Sequence, residues 1–144
     1  MKRIIAKGTV IAVILGSVTM AAAGGNTVTV RVSTFRSLKG SLRCRLFSRP
    51  DGFPGKPPFE AETSVTVSAT TMTCSFTSVA PGIHAVAVFH DENGDGKLDT
   101  NFLGIPREGV GVSNNNFRSV GPPSWDDAKF TVNGNLALNV TLRY

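Results

Sequence analysis

Cysteine is scarce in this chain: two in 144 residues, alongside one tryptophan, one tyrosine and two histidines. Two cysteines exclude a disulfide-framed miniprotein and a thiolate-rich zinc site. An excess of one charge is lacking too. The formal net charge is +5, but Lys2, Arg3 and Lys7 sit in a leader, and without them 12 basic residues face 10 acidic ones. So small a bias makes no phosphate-binding stripe, so nucleic acid is not an expected partner. Beyond the first 23 residues no apolar run is long enough to span a bilayer as a helix. Helical periodicity is nearly absent. A hydrophobic fraction of 41% argues against disorder, and 15 glycines without a three-residue period exclude a collagen-like chain.

Residues 1–23 have the three parts of a secretory signal: a positive start, an apolar stretch from Thr9 to Val18, and Ala21-Ala22-Ala23 as a small-residue cleavage site. A membrane anchor is the competing reading, but the stretch, about 15 residues even when carried on through Ala23, falls short of the roughly 20 a bilayer needs. The expectation is a periplasmic or secreted protein whose mature chain, starting near Gly24, is a single domain over 24–144. In an oxidising compartment Cys44 and Cys74 can form one bridge; two buried free thiols are the alternative.

Period-2 alternation dominates the mature chain. Val28, Val30 and Val32, then Leu42, Cys44 and Leu46, then Met72, Cys74 and Phe76, then Leu136, Leu138, Val140 and Leu142 each alternate with polar neighbours. Such segments are half-buried strands. Both cysteines fall on the apolar face, as an internal bridge requires. Seven strands are expected, at about 26–35, 41–48, 60–68, 71–79, 83–90, 127–133 and 135–143. The strand at 83–90 is apolar on both faces and reads as central. Asn133-Gly134 reads as a hairpin turn. The fold class is all-β: a seven-stranded antiparallel β-sandwich of immunoglobulin or prealbumin type, with Greek-key connections. Residues 49–59 read as a loop. Residues 91–126 carry no strand signal, and a loop that long usually has a function.

That segment opens with Asp91-Glu92-Asn93-Gly94-Asp95-Gly96-Lys97-Leu98-Asp99. Side-chain oxygens at Asp91, Asn93, Asp95 and Asp99, a backbone carbonyl at Lys97 and a turn at Gly96 make the front half of an EF-hand-type calcium loop. The twelfth position is Phe102 rather than a bidentate glutamate, so one strong ligand is missing; Glu108, Asp126 and Asp127 are candidate donors. Four carboxylates against one lysine give the loop a local net charge of −3, which favours a bridging Ca2+. A freely solvated polar loop with two turn dipeptides is the competing reading.

The run from Pro81 to Asn101 (PGIHAVAVFHDENGDGKLDTN), with Phe102-Leu103-Gly104-Ile105-Pro106-Arg107-Glu108-Gly109 and Ser113-Asn114-Asn115 after it, resembles the bacterial secreted family known as domain of unknown function 2141. The resemblance covers essentially 26–144. It implies an exported β-sandwich and points to no known activity. His84 stands where that family usually has tyrosine, at a Pro-Gly-x-Tyr corner.

Catalytic constellations are weak. Ser113, His90 and Asp91 assemble a triad only on paper, without a nucleophile elbow. Asp91 and Asp99 as a glycosidase pair, and His84 with His90 as metal ligands, have equally little behind them. Phe102, Phe117 and Trp125 would either pack over the end of the sandwich or recognise a ligand. Arg43, Arg45 and Arg49 read most simply as a solvated face. The sequence therefore points to a non-enzymatic exported module whose calcium loop orders a surface for a protein or glycan at the cell envelope. A purely structural module and a hydrolase of unknown type are the alternatives.

Overall fold

The computed structural model describes residues 25–144; the expected leader and its cleavage site lie outside them. Eight strands form: β1 (Asn26–Ser33), β2 (Ser41–Phe47), β3 (Ala61–Thr66), β4 (Thr71–Val79), β5 (Gly82–Asp91), β6 (Val110–Val112), β7 (Phe130–Val132) and β8 (Leu136–Thr141). One helix, α1 (Trp125–Ala128), lasts a single turn and is capped by Ser124. The strands make two sheets. One has the order β4-β1-β8; the other runs β3-β2-β5-β6, with β7 also paired to β5.

The alternation seen in the sequence is burial. Val28, Val30 and Val32 of β1, Phe76 of β4 and Val140 of β8 share one core with Leu42 and Leu46 of β2 and Val86 and Val88 of β5. Each fully buried side chain of this kind contributes on the order of 2 kcal/mol. Cys44 on β2 and Cys74 on β4 are bonded to each other across this core and so tie the two sheets together. Strand β5 is central, as its composition suggested. It pairs with β2 on one side and with β6 and β7 on the other. Its second face meets a smaller cluster in which Phe53, Phe59, Phe117 and Trp125 pack against Phe47, Ala85 and Ala87. The 49–59 loop and the later part of the 91–126 segment supply that cover.

Four expectations need correction. Seven strands become eight, because β6 lies inside the segment read as strandless. It is only three residues long, too short for a period to show, and its Gly111 leaves room for Val140, whose Cγ1 would stand 2.5 Å from a Cβ there. The sheets are not wholly antiparallel, because β8 runs parallel to β1 from Val28↔Leu136 to Ser33↔Thr141. Asn133-Gly134 does not close a hairpin: β7 belongs to β5's sheet and β8 to β1's, so this turn carries the chain between sheets. The strand expected at 127–133 begins only at Phe130, after α1.

Candidate functional site

At one end of the sheets, β5 runs out of its pairing and the acidic loop begins. Asp91 is the last residue of β5 and is completely buried. Its Oδ2 accepts hydrogen bonds from the Gly96 amide at 2.9 Å and from Arg43 Nε at 3.1 Å. The first bond folds the loop back over the carboxylate, and the positive φ of Gly96 (79°) permits the reversal. The second ties the loop to β2. Asp91 Oδ1 is buried without a hydrogen-bond partner. An orphan carboxylate oxygen in the interior is costly, so it needs an explanation.

The rest of the loop curls around this carboxylate. Asn93 Oδ1 accepts from the Asp95 amide at 3.3 Å, and Asp95 Oδ1 accepts from the Lys97 amide at 2.9 Å. Asn93 Nδ2 donates to Asp99 Oδ2 at 2.6 Å and lies 3.5 Å from Asp95 Oδ2. The Lys97 amide holds the Asp95 carboxyl below the usual aspartate range, with the Asp99, Asn93 and Asp91 side chains adding to the effect. Asn93 thus joins Asp95 and Asp99, Asp91 meets the loop through the Gly96 amide, and Lys97 enters through its amide N–H rather than its carbonyl. Among the described residues no group of three or more His, Cys, Asp or Glu side chains is placed so that it could hold a metal ion.

Glu108 is not a free twelfth ligand. It is buried, and both its oxygens are used: Oε2 accepts from the Glu92 amide at 2.7 Å and Oε1 from the Asp99 amide at 2.9 Å. It clamps the loop at both ends. Asp126 and Asp127 are elsewhere, bonded to Lys129 and to Arg118 with Ser124. The Glu108 clamp is what sequence reasoning missed; the only signal was a lone glutamate soon after the loop.

Beyond Asp99 the chain makes a tight hairpin. Thr100 bridges Pro106, the Asn101 amide donates to Ile105 O, and Asn101 Oδ1 accepts from the amides of Leu103 and Ile105 at 2.9 and 3.0 Å. The tip points Phe102 outward, 95% exposed, with Leu103 and Ile105 beside it. The three aromatics of the long segment therefore divide: Phe117 and Trp125 pack, and Phe102 does not.

Arg36 reaches this end from the β1–β2 connection. Its guanidinium bonds Glu92, holding that carboxyl below the usual glutamate range, and lies over the Tyr144 ring at 4.4 Å. Burial pushes the Tyr144 hydroxyl up. That hydroxyl lies 2.8 Å from His90 Nδ1, and His90 Nε2 lies 2.6 Å from Lys39 O. Both His90 nitrogens are thus engaged. Ser113 Oγ bonds Ala128 O and the Val86 amide, so the paper triad is not assembled. His84, at the corner where tyrosine was expected, is buried and meets Glu60 and Gly82 O. The arginines of β2 are not a free basic face, because Arg43 and Arg45 share Glu62 and Arg45 lies over Phe59.

The sequence model of the family described as "Uncharacterized protein conserved in bacteria (DUF2141)" matches residues 30–139. The chain belongs to that family. The matched DUF2141 region takes in most of the core, the acidic loop, the Glu108 clamp and the hairpin. No match was found among curated proteins or among solved structures. No helix among the described residues is long and apolar enough to cross a membrane.

Proposed function

We propose that this DUF2141 protein is an exported, non-enzymatic β-sandwich module, periplasmic or secreted, whose 91–99 loop binds Ca2+ and stiffens the base of the recognition hairpin at 100–106. The sandwich reading, of immunoglobulin or prealbumin type, is supported by one core shared between two sheets. The observation that carries the calcium reading is the orphan Asp91 Oδ1, fully buried at the start of an acidic loop. Oxygen donors from Asp91, Asn93, Asp95 and Asp99 and the Lys97 carbonyl would hold the ion, with water completing the six to eight oxygens calcium prefers. A metal-free structural module is the second reading; it is favoured by the Asn93 amide, which already bridges two carboxylates.

The test is thermal unfolding of the purified protein in EDTA, in CaCl2 from about 0.1 to 10 mM, and in MgCl2. An affinity of about 10⁻⁴–10⁻³ M stabilises the fold by roughly 1.4–2.7 kcal/mol at the top of that range. Asp91→Ala and Asp95→Ala lose the gain, and Asp51→Ala, outside the loop, keeps it. Identical responses from all three variants, or no calcium response in the wild type, would leave the metal-free module.

A further inference from the structure

Among the described residues neither Asp95 nor Asp99 has an ion-pair partner, whereas Asp91 has one. That partner is Arg43, whose Nε lies 3.1 Å from Asp91 Oδ2. Strand register brings the two together. Arg43 of β2 stands opposite Phe89 of β5, and Asp91 follows two residues later. The two side chains therefore share one face of the sheet, on adjacent strands, at a diagonal that a long side chain can span. The guanidinium also lies against the loop, since a Cβ at Gly96 would stand 3.3 Å from Arg43 Nη2. Other cations do not compete for this place. Arg36 is taken by Glu92, and Lys97 is exposed with no carboxylate partner among the described residues.

Arg43 is divided between two carboxylates, because its Nη1 lies 3.2 Å from Glu62 of β3. The Asp91 side chain is fully buried, whereas that of Arg43 is 25% exposed. A buried carboxylate needs a positive partner. Arg43 and a divalent ion are thus alternative partners for one group. An ion on the free Oδ1 would stand close to the guanidinium on Oδ2, where burial leaves little water to screen them. Their repulsion opposes binding.

We infer that Arg43 is a built-in brake on this cation site: it neutralises Asp91 in place of a metal and holds the calcium affinity of the 91–99 loop low. The inference rests on the calcium reading and adds what sets the concentration at which the loop responds. Arg43 touches no ion; it acts through Asp91. A weak site fills and empties around the about 10⁻⁴–10⁻³ M typical of extracellular calcium modules instead of staying filled.

Calcium titrations of thermal stability test this on the wild type, Arg43→Gln and Arg43→Lys. Glutamine keeps a hydrogen-bond donor and drops the charge. Arg43→Gln is expected to melt below the wild type in EDTA, with the gap narrowing in about 10 mM CaCl2. Its half-maximal calcium concentration should fall at least about tenfold. Arg43→Lys restores the charge and should return that concentration to within about threefold of the wild type. A purely structural tie would cost the same stability in EDTA and in CaCl2. That result, with an unchanged half-point, overturns the inference and leaves the calcium reading in place. A calcium response in Arg43→Gln alone upholds the inference and overturns the calcium reading for the wild type. No response in any of the three proteins overturns both. Should Arg43→Gln fail to fold in either buffer, Glu62→Gln decides. With its second carboxylate gone, Arg43 turns wholly to Asp91 and the half-point should rise; a half-point equal to that of the wild type overturns the inference.

Discussion

Removing the Cys44–Cys74 bridge should cost this fold about 3–4 kcal/mol through the unfolded state alone, because a sequence separation of 30 sets the loop it closes. The bridge is also part of the core, with Cys44 completely buried and Cys74 nearly so. In a Cys44→Ala/Cys74→Ala variant each missing sulfur adds a small void, on the order of 1 kcal/mol apiece. For a domain near 120 residues, one kcal/mol moves the melting temperature by about 3–6 °C. The double variant should therefore melt at least about 10–20 °C below the oxidised wild type. Far-UV circular dichroism against temperature measures it, and urea titration checks that the slope rises as the unfolded chain expands. Wild type unfolded and refolded in reductant isolates the cross-link from the packing, since both thiols remain. Under native conditions the same bridge should resist reductant, because a thiolate reaches it only when the sheets part. A double variant melting within about 3 °C of wild type would refute the reasoning. It would mean that the unfolded chain is already restricted without the bridge.

Three further outcomes follow from the loop and its surroundings. Glu108→Gln puts an amide N–H against a backbone N–H at one end of the clamp, so denaturant titration should show a loss of about 1–3 kcal/mol; an unchanged midpoint would show that Glu108 holds nothing. Gly109→Ala places a Cβ 2.5 Å from the Tyr144 ring, and displacing that ring from Arg36 and His90 should lower stability by about 1–3 kcal/mol, with a Tyr144→Ala background removing most of the penalty. Glu92 has a folded-state pKa below its unfolded value, so its pairing with Arg36 stabilises fully above the unfolded pKa and is lost as pH falls through the folded one. Glu92→Gln should thus cost up to about 1 kcal/mol near neutrality. Melting curves of the two proteins should converge once pH has fallen through the lowered folded-state pKa, and a gap that stays constant into acid would count against the pair.

Much of the architecture was legible because burial on one face leaves a period of two. The valines of β1 and the leucines of β2 announced themselves, and the shared parity of Cys44 and Cys74 anticipated their bridge. Strand β5 stood out because both its faces are covered, and only a central strand needs that. What alternation cannot carry is pairing. Nothing in Leu136–Thr141 says that it lies beside β1 in parallel rather than beside β7, since the same face is buried either way. β6 stayed invisible because its middle residue is a glycine chosen for what Val140 occupies. The acidic loop was legible as a spacing of oxygens, and Asp91 as its first position. The orphan oxygen, the Arg43 contact and the Glu108 clamp depend on residues distant in sequence. The exposed tip was missed because an aromatic in a loop reads the same whether it packs, as Trp125 does, or projects, as Phe102 does.

The parallel pairing of β1 with β8 also governs when this chain can fold. The first strand of the domain is flanked by β4 and by the last strand, so the three-stranded sheet has an unfilled side until residues 136–141 are free to join. The core face of β1 is then only partly covered, and the contacts that would hold it are among the most distant in sequence the chain makes. Long-range closure of this kind is slow and comes late. β8 is thus the closing piece of the three-stranded sheet: without it one edge of β1 has no partner, and only the β4 pairing remains to hold that strand.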